Sequence, residues 1–261
     1  MSLSTTFTHA IVRAPSNSVT RGLRAVDAGS PNGAQFTADH AAYFAALTAA
    51  GARVIALPAM EDFPDSVFVE DAALCLPDGA VIMRPGAPSR LGEAAAMAPA
   101  LRGLYKRVAV IEDGYIEGGD ILVTDREILV GLSARTDAAG VAALRTIVEP
   151  WGHRVRELAT PPDVLHFKTD CGLLDGTTVL ATDRLVASGC FDDYRVIPVA
   201  PGEEPCANCV RFNGAVLFPA GFPQTATRLR EAGYTLVELP NDQAALIDGG
   251  MSCLSLRFTP V

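Results

Sequence analysis

The sequence predicts an α/β fold in which a unit of strand, strand, helix and strand recurs around a ring. Short apolar or alternating runs typical of strands repeatedly flank segments that begin with helix-capping residues. Comparable strand openings recur every roughly 40 to 50 residues, a period typical of repeat architectures. These openings contain Asp71, Asp120, Asp170, Cys209 and Cys253. Because 261 residues suffice for one large domain, we expect residues 1–261 to form a single domain.

The first unit combines a strand with a long loop. Residues 9–13 are apolar, and residues 14–32 are rich in proline, glycine, serine and asparagine. Loops of that length are often lids or binding loops. Thr37 is expected to cap a helix that ends at Gly51, and residues 54–57 are expected to form the next strand.

Four further units and a closing strand follow. Pro99 is expected to interrupt the helix of the second unit, and Thr136 to cap the helix of the third. The fourth unit has only a rudimentary helix. The alternating run after Gly249 and Gly250 predicts a last strand that closes a structure begun at the N-terminus. In chain order, strands are expected within residues 63–84 and 108–111, 115–131 and from 155, 164–179 and 195–198, 208–214 and 236–239, and 254–258.

Composition and charge narrow the range of functions. The formal net charge is −9 and the pI is near 4.9, which disfavours a nucleic-acid partner and suits a cationic small molecule. The N-terminus lacks the pattern of a signal peptide, and no apolar run approaches the roughly 18 residues of a membrane span. The six cysteines are too few for a disulfide scaffold of this length, so we predict a cytoplasmic protein.

Cys206 and Cys209 form a C-x-x-C pair. A structural zinc site needs a second pair of ligands, and the four histidines lack suitable spacing. We therefore interpret the pair as two strand cysteines and expect no metal. The remaining histidines without a partner pattern are assigned to the surface or to packing: His9, His40 and His153.

Polar residues at the strand openings are expected to converge in one cleft of the ring. They include the carboxylates of Glu70, Asp71 and Glu117, the imidazole of His166 and the thiol of Cys253. A thiolate is a strong nucleophile, a histidine transfers protons near neutral pH, and paired carboxylates hold a cation. This set suits attack on a guanidinium, whose planar N–H donors match carboxylates. The alternative is that the cysteine is a buried, inert thiol.

Seven motifs, in order along nearly the whole chain, resemble those of the dimethylarginine dimethylaminohydrolases, a family of the guanidino-group-modifying (pentein) superfamily. Between residues 169 and 177 the match is looser. The motifs are FPDSVFVED at 63–71, RPGAPSRLGE at 84–93, EGGDILV at 117–123, GLSART at 131–136, VLHFKT at 164–169, ANC at 207–209 and IDGGMSCLSLRF at 247–258.

The resemblance implies a five-bladed α/β propeller that needs no cofactor and hydrolyses dimethylarginine to citrulline and dimethylamine. The family's nucleophile corresponds to Cys253, its acid and base to His166, and a catalytic carboxylate to Glu117. The family positions that bind substrate correspond to Leu23, Asp65, Glu70, Asp71, Arg90, Arg135 and Ile247.

The resemblance also implies how these positions divide the substrate between them. Asp71 and Glu117 would grip the guanidinium, and Asp65 would face the amino-acid end. Arg90 and Arg135 would bind the substrate carboxylate. Glu70 stands beside Asp71, and Leu23 and Ile247 would close over the ligand.

Two other functions remain open. An arginine deiminase, or another guanidine hydrolase of the superfamily, would keep the same residues. A ring-shaped binding protein without activity would need no cysteine beside a histidine, which disfavours it. The expected partner is a small methylated arginine, and a homodimer is left open. We also expect Lys168 on an outer strand edge and an apolar wall against the methylated nitrogen.

Overall fold

The computed structural model describes residues 2–260, which form five three-stranded sheets. In each sheet the first strand runs antiparallel to the second, and the third runs parallel to the second. The sheets are β15-β1-β2, β3-β4-β5, β6-β7-β8, β9-β10-β11 and β12-β13-β14. The strands are β1 His9–Arg13, β2 Arg53–Leu57, β3 Ala73–Leu76, β4 Gly79–Ile82, β5 Val108–Val110, β6 Ile121–Val123, β7 Ile128–Leu132, β8 Val155–Ala159, β9 Cys171–Leu173, β10 Thr178–Ala181, β11 Arg195–Pro198, β12 Val210–Phe212, β13 Ala215–Pro219, β14 Leu236–Leu239 and β15 Leu256–Phe258.

A helical segment connects the two parallel strands of every sheet, as a parallel crossover requires. A seventh short helix precedes the C-terminal turn. The helices are α1 Gly33–Ala49, α2 Leu91–Ala95, α3 Ala98–Arg102, α4 Ala138–Val148, α5 Asp183–Val186, α6 Pro223–Glu231 and α7 Asp242–Ala245. The predicted repeat of strand, strand, helix and strand is therefore confirmed. The chain has an α/β fold of repeated units.

The start of α1 differs from the prediction. Asn32 caps this helix, because its Oδ1 accepts a hydrogen bond from the backbone N–H of Gln35 at 3.0 Å. Thr37 lies inside the helix and donates its hydroxyl to the carbonyl of Gly33 at 2.9 Å. The predicted end is correct, since Gly51 follows the helix with a left-handed φ of +96°.

The cap of α4 also differs. The Asp137 side chain accepts the N–H of Gly140 at 2.8 Å, so Asp137 is the cap. Thr136 instead uses its hydroxyl oxygen to accept the N–H of Glu117 at 3.1 Å.

The predicted break at Pro99 is confirmed, because α2 ends before it and α3 begins with it in its first turn. The helix of the fourth unit, α5, has only four residues.

The first strand of each sheet is preceded by a 3-10 turn rather than by the longer strand expected from the sequence. The turns are Val69–Ala72, Gly118–Asp120, Phe167–Thr169, Glu204–Ala207 and Ser252–Leu254. They place Asp71, Asp120 and Cys253 at the predicted strand openings, and Asp170 follows its turn directly. Cys206 lies in such a turn and Cys209 just before β12, so neither is a strand residue.

The two ends of the chain meet in one sheet. β15 pairs antiparallel with β1, with Phe258 opposite His9 and Leu256 opposite Ile11. The predicted closing strand is confirmed. Within residues 2–260, no helix has the length and apolar character needed to cross a membrane.

The β12–β13 hairpin turns at Asn213, which has a left-handed φ of +53°. Its side chain accepts the N–H of Phe7 at 2.9 Å and donates to the carbonyls of Phe7 and Ala50 at 3.1 and 2.9 Å. One amide thus joins the hairpin to the chain before β1 and to the end of α1.

We expect Asn213→Ala to lower the free energy of unfolding by about 3 kcal/mol. The change removes three hydrogen bonds of about 1 kcal/mol each and puts alanine in a left-handed conformation. Asn213→Gly removes the same bonds without that backbone cost, and we expect it to be about 1 kcal/mol less damaging. Urea unfolding of both variants measures the difference. Equal losses would contradict the backbone contribution.

Candidate active site

The 3-10 turns bring the predicted catalytic residues together. A cavity of about 30 Å³ is lined by residues from six separate parts of the chain. It is lined by Leu23, Asp65, Phe68, Asp71, Arg90, Arg135, Leu165, His166, Ile247, Asp248 and Cys253. Eight of the ten residues assigned from the sequence line this cavity. The exceptions are Glu117, which lies behind the imidazole of His166, and Glu70.

His166 and Glu117 form a buried pair. The imidazole Nε2 lies 2.7 Å from Oε2 of Glu117, whose side chain has no solvent exposure. Burial opposes charge on both groups, but their mutual hydrogen bond outweighs it. That bond, with the nearby charges of Asp71 and Asp120, raises the pKa of His166 to about 9. The same bond and the Arg90 and Arg135 charges lower the pKa of Glu117. The pair is therefore an imidazolium and a carboxylate at neutral pH.

Backbone and arginine donors hold the other Glu117 oxygen. Oε1 accepts the N–H groups of Gly86 and Ala87 at 3.0 and 3.3 Å. The Arg135 guanidinium lies 3.5 Å from the same oxygen. The carboxylate is therefore fixed from two sides, and its nearest acidic or basic neighbour is the imidazole that it orients.

Asp71 faces His166 across the cavity. Its Oδ1 accepts the N–H of Gly119 at 2.8 Å, and its Oδ2 accepts from Arg90 at 2.6 Å. Side-chain ligand atoms of Asp71, Glu117 and His166 lie within 4.8 Å of one another. This set could hold a metal ion. Because all four carboxylate oxygens already accept hydrogen bonds, a planar cation that supplies N–H donors fits the remaining lone pairs better than a metal ion does.

Cys253 lies in the turn Ser252–Leu254 and is 8% exposed. The N–H of Gly250 points to its Sγ at 3.4 Å. Burial raises the pKa of this thiol to about 12, and the negative charges of Asp71 and Glu70 add to the shift. The free thiol is therefore protonated at neutral pH, and a cation in the cavity would be needed to lower its pKa.

The glycine pair before Cys253 is required for close packing, as the sequence predicted. A Cβ atom at Gly249 would overlap the Phe68 ring, and one at Gly250 would overlap the Asn208 side chain. Neither glycine has a left-handed φ. The pair therefore serves close approach of neighbouring chain segments.

Arg90 is more deeply engaged than the sequence suggested. It is 4% exposed and pairs with Asp71 and Glu93. Its Nη2 also donates to the carbonyls of Asp65 and Phe68, at 3.3 and 3.0 Å. Of its five N–H groups, one on Nη1 has no acceptor among residues 2–260. Arg90 is thus first a brace for Asp71, with one donor left for a ligand.

The other assigned residues form the outer wall. Leu23 donates its backbone N–H to Asp65 at 2.8 Å, which ties the long N-terminal loop to the cavity. Ile247 is buried, and a Cβ atom at Gly22 would lie 2.9 Å from its Cδ1. Arg135 has a side chain that is 20% exposed and keeps most of its donors free among residues 2–260.

Glu70 does not face this cavity. Its carboxylate pairs with Lys168 at 2.6 Å and with Arg257, and it accepts the Ser252 hydroxyl at 2.6 Å. The structure therefore places the assigned Glu70 outside this cavity, next to the turn that contains Cys253. The prediction for Lys168 is wrong. It is 7% exposed, because its ammonium pairs with this buried carboxylate.

A larger cavity of about 280 Å³ adjoins the first one at His166 and Cys253. Most of its lining side chains are polar, among them Thr169, Asn208 and Asn241. Its apolar side chains are Leu165, Pro205 and Ala245, and the apolar wall expected for a methylated nitrogen stays a prediction. Leu165 lines both cavities, and Leu23, Phe68 and Ile247 are further apolar residues of the first one.

Sequence reasoning missed the role of Asp120, although it noted the position. This carboxylate has no solvent exposure and accepts the N–H of Phe167 at 2.8 Å and the hydroxyl of Ser133 at 2.7 Å. Because Phe167 follows His166, the bond holds the chain that carries the imidazole. The EGGD motif at 117–120 shows that an acidic residue occupies this position, but it does not reveal which residues the carboxylate contacts.

Comparisons with known proteins agree with this geometry. A family model described as Arginine deiminase matches residues 49–204. The N(G),N(G)-dimethylarginine dimethylaminohydrolase of Pseudomonas aeruginosa is 37% identical over 97% of this chain and 100% of its own length. A protein of the same name from Streptomyces coelicolor is 37% identical over 83% of each chain.

Solved structures show the same relationship. A cysteine-to-serine variant of the Pseudomonas aeruginosa protein in complex with citrulline superposes with a TM-score of 0.94 at 37% identity, covering 97% of this chain and 100% of that one. The N-terminal domain of a cyanobacterial arginine dihydrolase matches with a TM-score of 0.84 at 18% identity, covering 97% and 98% of the two chains, and so shares the fold. On the sequence identity, the near-complete coverage and the superposition together, the chain belongs to the dimethylarginine dimethylaminohydrolase family.

Proposed function

We propose that this protein hydrolyses Nω,Nω-dimethyl-L-arginine and Nω-methyl-L-arginine to citrulline and the methylated amine. The observation that carries the proposal is the convergence of Cys253, His166 and Asp71 on one cavity. The relatives' names and their complexes with citrulline and with S-methyl-L-thiocitrulline support the same chemistry.

The cavity separates two ends of such a substrate. Asp71 offers acceptor lone pairs to guanidinium N–H groups at the inner end, and Glu117 holds the His166 imidazole from behind. Asp65 lies at the outer end, where it suits the substrate amine, and Arg135 has free donors for the carboxylate. Burial raises the pKa of Asp65 although Arg90 opposes the shift, so an ammonium group beside it would stabilise its charged form.

The first half of the reaction uses Cys253 and His166. A bound guanidinium lowers the thiol pKa, and the thiol releases its proton to solvent. Sγ then attacks the guanidinium carbon and forms a C–S bond. Because His166 is protonated at neutral pH, it can give a proton to the departing amine as the C–N bond breaks.

The second half reverses the role of the imidazole. His166, now neutral, removes a proton from a water molecule that attacks the carbon of the covalent thiouronium. The C–S bond breaks, citrulline forms, and the cysteine and the imidazolium are regenerated. Glu117 stays charged and holds the imidazole in place throughout.

An arginine deiminase is the second candidate, because the matching family model carries that description. The same catalytic groups would serve it, with ammonia as the leaving group. A binding ring without activity is disfavoured by the cysteine and imidazolium lining one cavity.

We further propose that the five sheets are the blades of one closed propeller formed by residues 1–261 as a single domain. The pairing of β15 with β1 supports closure of the ring. A cytoplasmic location is supported by the cysteines, all six of which are free thiols. A homodimer is a second assembly to be tested beside the monomer.

We expect kcat/KM to be roughly ten- to a hundredfold higher for the asymmetric dimethyl and monomethyl forms than for arginine, and symmetric dimethylarginine to be unprocessed. Methylation on both terminal nitrogens removes an N–H donor that a buried carboxylate needs. Citrulline release from the four compounds under one condition measures this. Cys253→Ser is the control and should lose several powers of ten in rate. A higher value for arginine would replace this proposal with the deiminase.

The Glu117 bond predicts the pH behaviour of His166. Because the folded pKa is raised above the unfolded value of about 6.5, the bond stabilises the fold fully below that pH and loses its effect as pH rises through about 9. In Glu117→Gln this contribution is lost while burial still opposes the charge, so the His166 pKa should fall below its wild-type value. NMR titration of the four histidines, with His166→Asn for assignment, tests this. Identical midpoints in wild type and Glu117→Gln would contradict it.

Arg135 and Arg90 should respond differently to replacement. Arg135→Leu removes a charged partner of the substrate carboxylate, so KM for dimethylarginine should rise about tenfold or more with a smaller change in kcat. An alkylguanidine without a carboxylate serves as the control and should be affected little. Arg90→Leu leaves Asp71 and Glu93 buried without their cation and should cost about 3 kcal/mol or more in unfolding free energy. Equal stability of the two variants would contradict the brace assigned to Arg90.

A further inference from the structure

Ser252, the residue before Cys253, has each of its polar groups bound by a different side chain. Its hydroxyl donates to Oε2 of Glu70 at 2.6 Å. Its backbone N–H donates to Oδ1 of Asn208 at 2.8 Å. Its carbonyl accepts from Nη1 of Arg257 at 2.8 Å. We call these three partners, Glu70, Asn208 and Arg257, the Ser252 clamp.

The clamp draws on three separate units of the fold. Glu70 lies in the turn before β3, Asn208 lies between a turn and β12, and Arg257 is on β15. Contacts from three directions fix the turn Ser252–Leu254 against both of its neighbours. A single bond would leave the turn free to rotate about it, but three non-parallel bonds do not.

The arrangement acts on Cys253 through the peptide bond. The Ser252 carbonyl and the Cys253 N–H belong to one planar peptide unit. Arg257 therefore sets the plane from which the Cys253 side chain extends. The thiol itself has only a weak contact, the N–H of Gly250 at 3.4 Å, so the position of Sγ depends on the backbone before it.

The charge on Glu70 makes the hydroxyl bond a strong one. Burial opposes ionisation, but Lys168 and Arg257 outweigh it and lower the pKa of this carboxyl. Hydrogen bonds to a charged acceptor are roughly twice as strong as neutral ones. The clamp also gives a function to Glu70, whose carboxylate lies outside the candidate substrate cavity.

We propose that Ser252 is a positioning residue for the nucleophile, held by Glu70, Asn208 and Arg257 so that Sγ of Cys253 meets the guanidinium carbon at attack distance. The inference rests on the proposed function, in which Cys253 forms the covalent bond.

The test compares three serine variants in the full-length enzyme. Ser252→Ala removes the hydroxyl, and kcat for dimethylarginine should fall about 10- to 100-fold, because small displacements of a reacting atom cost that much. The inhibition constant of citrulline should stay within about threefold, since the substrate contacts are unchanged. Ser252→Thr keeps the hydroxyl and should restore kcat to within about fivefold of wild type.

Ser255→Ala is the matched control on the same segment. Ser255 has no solvent exposure, and its hydroxyl bonds to Tyr43 at 2.7 Å and accepts from Nη1 of Arg257 at 3.0 Å. Arg257 keeps its contacts with Glu70 and the Ser252 carbonyl in this variant. It should lose thermal stability while kcat stays within about threefold.

Two results would overturn the clamp alone while the wild type is active. One is a wild-type kcat in Ser252→Ala. The other is an equal loss of kcat in Ser252→Ala and Ser255→Ala, which would mark a general loss of structure. If Ser252→Ala does not fold, Asn208→Ala is the test. Its kcat should fall about fivefold or more, and an unchanged kcat would overturn the clamp. An inactive wild type, or an active Cys253→Ser, would overturn the proposed function and the clamp with it.

Discussion

Charge buried at the centre of the molecule is the constraint on which the rest of the structure depends. The carboxylates of Glu70, Asp71, Glu117 and Asp120 are at most 3% exposed. An unpaired buried carboxylate costs several kcal/mol, so each needs a cation or several donors within reach. Those partners come from turns, loops and strands, and for each carboxylate they belong to more than one unit. The buried carboxylates are therefore stabilised only when the units are correctly placed relative to one another.

The charges form two layers, and one carboxylate of each, Asp71 and Glu70, acts on the Cys253 thiol. On one side, His166, Arg90 and Arg135 neutralise part of the charge of Asp71 and Glu117. On the other side, Lys168 and Arg257 neutralise Glu70. The layer that faces the cavity keeps free acceptor lone pairs, whereas the lower one is internally paired. A cationic substrate therefore has a place in the first layer and none in the second.

The same arrangement controls the reactivity of the thiol. Burial and two nearby carboxylates hold Cys253 in its protonated form when the cavity has no cation. The positive charge of a bound guanidinium would offset these carboxylates, and the thiolate would be favoured when substrate is present. The resting imidazolium is already suited to protonate a leaving amine. Protection of the free cysteine and activation by substrate thus follow from one set of charges.

The sequence by itself determined the repeat, the pairing of the two chain ends and the identities of Cys253, His166 and Asp71 as a group, because periodicity and ordered motifs are local in the chain. Only the tertiary structure decided what each charged residue touches. Arg90 and Glu70 are paired with charged side chains, whereas Arg135 keeps most of its donors free, although all three lie in motifs of the same kind. Lys168 is buried rather than on an outer strand edge, because the chain forms a 3-10 turn at this position instead of a strand. The sequence does not reveal the hydrogen-bond partners of Asp120 and Ser252. Partners such as Phe167, Asn208 and Glu70 lie in other units and come within bonding distance only when the sheets pack together.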